Sequence, residues 1–418
     1  MCGISGYISR KKLLKDNSIN STLELMKRRG PDSQNFYKNN YQNKEVALLH
    51  SRLNIIDLNS KSNQPFYDDD LILIFNGEIY NYLELRNELK KKNHNFKTNS
   101  DTEVLLKAFK EYGANCVDHF IGMWAFAIWD VNKKKLFLSR DPFGEKPLYY
   151  FLDNDGFFFG SEIKFIKSLC NKNFEINKNK IYDNFFFGYK SLNKDSETFF
   201  KNIFTVQSST SITIDLDLNF SQNKYWKPKV EINQKMRADE AAEGTNYFLK
   251  NSLKLRMRSD VPVAFCLSGG IDSGILVSHA QKTFNKKIST FSIIDKDPRY
   301  NEKENIISVV HDLNCESNLI NIEDNQSNFF NRLKDLTKYH DSPISTLSYY
   351  VHSYLSEKIS NNNFKVAISG TGADEIFTGY YDHYLLQFLA INNTEHLEKN
   401  INYWKKDVLP QIRNPYLK

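Results

Sequence analysis

Cysteine is scarce in this chain. The 418 residues contain five, Cys2, Cys116, Cys170, Cys266 and Cys315, and no two are spaced as Cys-x-x-Cys. An odd count without paired spacing argues against a disulfide framework, and the last four read as buried small apolar residues. Long apolar runs are missing too. The longest, such as Leu71 to Phe75, are strand-sized, and no basic N-terminal stretch precedes a hydrophobic one. Neither a membrane span nor a secretory leader is expected, which points to the cytoplasm. Charge of one sign is equally thin: 56 Lys and Arg against 50 Asp and Glu, net +6, with lysines interleaved among acidic residues and Asn. A nucleic-acid partner is therefore not expected. The runs Lys90–Lys92 and Lys133–Lys135 read as a helix end and a turn. No Gly-Lys-Ser/Thr follows a glycine loop, which disfavours a P-loop kinase.

What is present is a globular composition, 40% hydrophobic and 25% charged, long enough for two or three domains. Residues 2–205 show short strands, turns of Gly, Asn and Asp, and three amphipathic helices, the pattern of a two-sheet α+β domain. The first helix is expected near Ser21 to Arg28, stopped by a left-handed Gly30 before Pro31. The second begins at Asn81. The third starts near Ser100 with Glu103 completing a capping box, and ends at Gly113. Residues 206–235 read as a polar linker, and helical patterning resumes near Arg237 in a second domain, 236–418.

Cys2 follows the initiator methionine directly, so loss of one residue would place a thiol and a free α-amine on the same carbon. The thiol (pKa ~8.5) then has a base of pKa ~8 within reach, with no histidine required. The strand Leu71 to Phe75 leads into Asn76-Gly77-Glu78, read as a loop. A backbone N–H and the Asn76 amide there offer two donors for an oxyanion, or the Asn-Gly pair is simply a tight turn. Arg52 suits a substrate α-carboxylate and Asp101 an α-ammonium; a surface charge and a helix-start residue are the plainer roles.

In the second half, strand Val263 to Leu267 meets Ser268-Gly269-Gly270-Ile271-Asp272-Ser273 and then a helix to about Phe284. Strand, glycine loop and helix make an anion cradle, with hydroxyls from Ser268 and Ser273 and a carboxylate, Asp272, for Mg²⁺. Strands at Ile288 to Ile294 and Lys365 to Ser369 follow, the latter running into Ser369-Gly370-Thr371-Gly372-Ala373-Asp374-Glu375. Alternating strands and helices imply a parallel sheet that binds ligands beyond its strand C-termini.

In order, "MCGISGYI", "RRGPDS", "HSRLNIID", "NGEIYN", "SDTE", "GMWAFAIWD" and "RDPFGEKPLYY" resemble the class II glutamine amidotransferases, and "SGGIDS" with "SGTGADE" resembles the ATP-pyrophosphatase domain of asparagine synthetases. The whole chain thus resembles the glutamine-hydrolysing asparagine synthetase family. "SGGIDS" separates it from glutaminases fused to phosphoribosyl or sugar-isomerase domains. The resemblance implies an N-terminal-nucleophile αββα two-sheet sandwich followed by an α/β parallel-sheet domain. It implies Cys2 as nucleophile, Asn76 and Gly77 as oxyanion hole, and Arg52, Leu53, Asn54, Ile55, Ile56, Glu78 and Asp101 around glutamine. Arg29 to Asp32 and Arg140 to Gly144 would be structural or interdomain elements. Leu267, Ser268, Gly269, Gly270, Asp272, Ser273, Ile293, Ser369 and Gly370 would hold ATP, with Asp272 and Asp374 on Mg²⁺. The implied chemistry is ammonia release, adenylation of a carboxylate, internal passage of ammonia and amide formation, and a homodimer is the candidate assembly.

Two features depart from the family pattern. Thr371 stands where "SGEGSDE" carries a glutamate tied to adenylate formation, so the acceptor is aspartate, another carboxylate such as a sugar acid, or, in a non-catalytic relative, none. The chain also stops at Lys418 in "RNPYLK" without a finished helix, so it is expected to be C-terminally incomplete and competent as a glutaminase, with full synthetase activity left open. The segment Ser342 to Tyr354 either shapes an acceptor pocket or packs Tyr349, Tyr350 and Tyr354 into a helical core.

Overall fold

The computed structural model describes residues 1–10, 17–192, 194–233, 235–298, 300–322, 328–391 and 393–412. The "RNPYLK" stretch lies outside them. The chain divides into two compact units, Met1–Val261 with Asn328–Tyr350, and Pro262–Ser327 with Val351–Lys418.

In the first unit twelve strands are described: β1 Gly3–Ser9, β2 Ser33–Tyr41, β3 Lys44–Arg52, β4 Phe66–Asp68, β5 Leu71–Ile79, β6 Gly122–Asp130, β7 Lys135–Arg140, β8 Tyr149–Leu152, β9 Gly156–Gly160, β10 Ile203–Thr205, β11 Thr210–Asp215 and β12 Phe220–Lys224. They form two six-stranded sheets, ordered β10-β8-β9-β1-β3-β2 and β12-β11-β7-β6-β5-β4. Alternation along each strand explains the layering. Ile4 and Ile8 of β1, Ile72 and Ile74 of β5, and Ala125, Ala127 and Trp129 of β6 share one core between the sheets. Their neighbours face outward under helices: Leu73, Phe75 and Ile79 meet Leu85, Leu89, Val104 and Leu105, while Tyr7, Ala47 and Leu49 meet Ile19, Met26, Phe165 and Ile166. This is the αββα sandwich. The run Leu71 to Phe75 is wholly apolar because both of its faces are covered.

Several local expectations change. The segment expected as a linker, 206–235, supplies β11 and β12, which extend the second sheet. Gly30 has no left-handed backbone. A Cβ there would lie 2.2 Å from the Ser51 carbonyl carbon, so the glycine serves close backbone approach. The third helix, Asp101–Tyr112, is capped by the Ser100 side chain and ends at Gly113 with φ +60°, as expected. Glu103, however, accepts from Lys97 N, Thr98 N and Thr98 Oγ1 and does not return to Ser100, so no capping box forms. Cys116 and Cys170 are buried; Cys266 and Cys315 are half-buried.

The second unit carries β13 Val263–Cys266, β14 Ser289–Ile294, β15 Glu316–Asn321 and β16 Val366–Ile368, all parallel, in the order β15-β14-β13-β16. Ala264, Phe291 and Ile359 pack with Leu355 and Phe364 against one face. β15 was not foreseen; its short ESNLIN sequence alternates too weakly to be read. Tyr350 and Tyr354 are buried and Tyr349 is exposed, so packing accounts for the first two. Among the described residues no helix is long and apolar enough to cross a membrane.

Candidate active site

Antiparallel pairing of β1 with β3 sets Gly3 opposite Ser51 and brings residue 2 beside the end of β3. The Leu53 amide donates to Cys2 Sγ at 3.3 Å, and Arg29 Nε donates to the Cys2 carbonyl at 2.9 Å. Across the sandwich β5 does not stop at Phe75. It runs on through Ile79, so Asn76 and Gly77 are strand residues, and both the loop and the tight-turn readings fall. Gly77 pairs with Trp124, and a Cβ on it would sit 2.1 Å from the Met123 carbonyl oxygen, which is why only glycine fits there. Asn76 is buried, and its Nδ2 has no hydrogen-bond partner among the described residues. A buried amide donor left open costs about 1–3 kcal/mol, a cost retained where a ligand completes the bond.

Cys2, Asn76 and Gly77 line one small cavity of about 40 Å³ with Met1, Arg52, Leu53, Ile55, Ile56, Gln64, Phe75, Glu78, Asp101, Thr102 and Lys146. Asn54 does not line it; its N–H is held by Asp32 at 2.7 Å. The Arg52 guanidinium is locked by the carbonyls of Asn59, Ile56 and Asp57 and by Asn63 Oδ1. A bidentate grip on a carboxylate would displace the longest of these, 3.4 Å to Ile56. Asp101 opens its helix and accepts from Ile79 N at 3.0 Å, which ties it to the end of β5.

The cavity shifts every acid and base in it. Burial pushes the Asp101 carboxyl up to about 6, against the pull of its hydrogen bonds. Burial and the nearby Asp101 lift Glu78 to about 7. Burial raises the Cys2 thiol, opposed by the Leu53 N–H, the chain-terminal amine, Arg52 and Lys146. The Met1 amine falls to about 6, mainly through burial. His50 is held down near 3 by burial and faces the Phe75 carbonyl at 3.1 Å, so it is neutral and turned away from base chemistry. Gln64, Thr102 and Lys146 escaped the residue-by-residue reading. Gln64 accepts from Phe75 N at 2.6 Å and donates to Thr102 Oγ1 at 3.3 Å; Gln64 lies in none of the sequence blocks, whereas Thr102 sits inside "SDTE". Lys146 did lie inside the "RDPFGEKPLYY" block.

In the second unit the loop after β13 is closed by its own serines. Ser273 Oγ accepts from Ser268 N at 3.1 Å and lies 3.0 Å from Ser268 Oγ. Gly269 adopts φ +79°, and a Cβ on it would lie 3.0 Å from Glu302 Cβ. Gly370, beyond β16, abuts the same loop: a Cβ there would lie 3.0 Å from Ser273 N and 3.1 Å from Asp272 Cβ. Leu267 is buried just beyond β13, Ile293 lies in β14, and Ser369 is exposed beyond β16. Thr371 Oγ1 accepts from Ser369 Oγ at 3.0 Å. Asp374 packs against Gly379, where a Cβ would meet its Oδ1 at 1.8 Å. Among the described residues no three His, Cys, Asp or Glu gather to hold a metal. Two carboxylates with phosphate oxygens suffice for Mg²⁺, so the oxygen-only donor set fits that ion.

A sequence model of the glutamine amidotransferase domain matches residues 1–226, and one of asparagine synthase matches 245–413. The chain belongs to the glutamine-hydrolysing asparagine synthetase family of ATP-dependent carbon–nitrogen ligases. Its similarity extends to a Methanocaldococcus jannaschii protein provisionally named as such a synthetase, 34% identical over 92% of this chain and 76% of that one. Asparagine synthetase (glutamine-hydrolysing) 1 of Bacillus subtilis is 33% identical over 91% of this chain, and the Amidase chry2 of Gibberella zeae 29% identical over 91%. The chain spans 59% of the length of each of these last two.

Proposed function

We propose that the chain releases ammonia from glutamine at Cys2 and joins it to a carboxylate activated by ATP, with aspartate as acceptor and asparagine, AMP and pyrophosphate as products. The observation that carries the first half is the open Asn76 Nδ2 in the same cavity as Cys2 Sγ. Met1 itself lines that cavity, so its excision both frees the base and enlarges the space beside Cys2 Sγ. The freed amine takes the thiol proton, and the thiolate attacks the side-chain carbonyl of glutamine. The resulting oxyanion faces Asn76 Nδ2 and the Gly77 N–H. Collapse expels ammonia with the proton returned by the amine, and water cleaves the thioester. Arg52 and Asp101 take the carboxylate and ammonium of the amino acid.

In the second half the acceptor carboxylate attacks the α-phosphorus of ATP, pyrophosphate leaves, and ammonia displaces AMP. A free carboxylate is a poor acyl acceptor, and adenylation gives it a leaving group. The loop Ser268 to Ser273 cradles the phosphates, Leu267, Ile293, Ser369 and Gly370 border the nucleoside, and Asp272 and Asp374 would hold Mg²⁺, which would neutralise phosphate charge when bound.

A second acceptor class is favoured by one observation. Thr371 brings a hydroxyl already engaged with Ser369 to the place of an acidic side chain. Incubation with glutamine, ATP, Mg²⁺ and either aspartate or sugar acids, with glutamate and pyrophosphate both measured, tests these readings. Pyrophosphate with aspartate supports the first, and pyrophosphate only with another acid supports the second. Silence in both channels defeats the proposal.

A further inference from the structure

Lys146 is a buried lysine that the reaction above does not use; burial pulls its ammonium below the usual lysine range, and the carboxylates Glu78 and Glu145 oppose that by favouring the charged form. Its backbone is fixed at both ends: the N–H donates to Asp141 Oδ2 at 2.9 Å, and the carbonyl accepts from Arg140 Nε at 2.7 Å. Asp141 also accepts from Phe143 N and Glu145 N, so one fully buried carboxylate shapes the whole 141–146 loop. That frame leaves the Lys146 side chain 7% exposed and lining the Cys2 cavity. Its ammonium lies 3.6 Å from Met1 Sδ, and no described carboxylate stands in an ion pair with it. Burying an unpaired ammonium is costly unless its charge has a task. Excision of Met1 removes the thioether and leaves the ammonium facing the new terminus.

We propose that Lys146 is the positioning charge of the nucleophile: it repels a proton from the freed α-amine of Cys2, so that the amine stands ready as base, and it favours the thiolate. The inference rests on the glutaminase reading above. The groups facing that terminus are Glu78 from β5, Arg29 from the turn after the first helix, Arg52 at the end of β3, and Lys146, with Asp101 behind Glu78. Glu78 acts in the opposite sense, favouring the protonated amine, while Lys146 and Arg29 disfavour it. Of these two cations Arg29 is held in an ion pair with Glu162 at 2.9 Å, whereas Lys146 is faced by Glu78 and by Glu145 of its own loop without a close ion pair among the described residues.

The test is the pH dependence of Cys2 alkylation by iodoacetamide, read on the N-terminal peptide by mass spectrometry in protein whose intact mass shows Met1 removed. In Lys146→Met and Lys146→Gln the half-maximal pH is expected to rise by about one unit, whereas Lys146→Arg should track wild type. An unchanged midpoint in the neutral variants overturns the proposal. So does an equal shift in Lys146→Arg, or loss of a cooperative melt in both neutral variants, since each would make the residue structural. Glutamate release from glutamine is measured on the same samples. If wild type releases none while the alkylation shift holds, the glutaminase reading fails and the role of the charge stands.

Discussion

The two candidate sites are built in opposite ways. At Cys2 the chemistry is set into the margin of a double-sheet core: Arg52, Asn76, Glu78 and Asp101 are each 5% exposed or less. At the nucleotide loop only Leu267 and Ser273 are buried, and Ser268, Ser369 and Thr371 face solvent. A site buried before substrate arrives has its dipoles already oriented, which suits charge that appears only in a transition state. A solvent-facing loop between a strand end and a helix start suits a large polyanion that brings its own charge.

Breaking each site separately tests that contrast. Cys2→Ala should lower glutamine hydrolysis by more than about 10³-fold while ammonium-supported pyrophosphate release persists; loss of both would mean the sites are not separable. Asn76→Ala removes the open donor and should cost about 10²–10³ in kcat with a smaller change in KM, read by glutamate release. Asp272→Asn should reverse the pattern, cutting pyrophosphate release by roughly tenfold or more and leaving glutamate release intact.

The pH dependence sharpens the comparison further. Glu78 is raised in the fold from 4.5 to about 7, so its protonated form is the one the fold favours. That stability is complete below about pH 4.5 and is lost as pH rises through 7. Glu78→Gln should remove this decline, on the order of a few kcal/mol at most, in urea melts between pH 4.5 and 7.5. The smallest effect is expected at Gly269, whose φ of +79° a side chain resists: Gly269→Ala should cost about 1–2 kcal/mol and weaken ATP more than glutamine.

Legibility in the sequence was uneven for physical reasons. Strands β5 and β13 stood out because continuous apolar runs mark elements covered on both faces, and the glycine loop after β13 follows from chain order alone. The extension of β5 through Asn76 and Gly77 was hidden, since Asn-Gly is a common turn and only the partner strand β6 shows that a glycine is needed against Met123. Glu103 was misjudged because its place three residues after Ser100 marks a capping box, whereas its carboxylate reaches back to Thr98 and Lys97, a tie that no local spacing signals. β12 was hidden by its polar composition, being the largely exposed edge strand of its sheet; β11 was hidden although Ile212 and Ile214 are buried, because Thr, Ser and Asp fill its other positions.

Local order in the chain determined the nucleophile beside the initiator methionine, the glycine loop between strand and helix, and the two-sheet α+β class of the first half. Those are properties of neighbours along the backbone. Only the tertiary structure decided which charges share the cavity with Cys2. Lys146, Gln64 and Thr102 reach it from separate elements, and burial, which no local pattern carries, sets the protonation of Glu78 and Asp101.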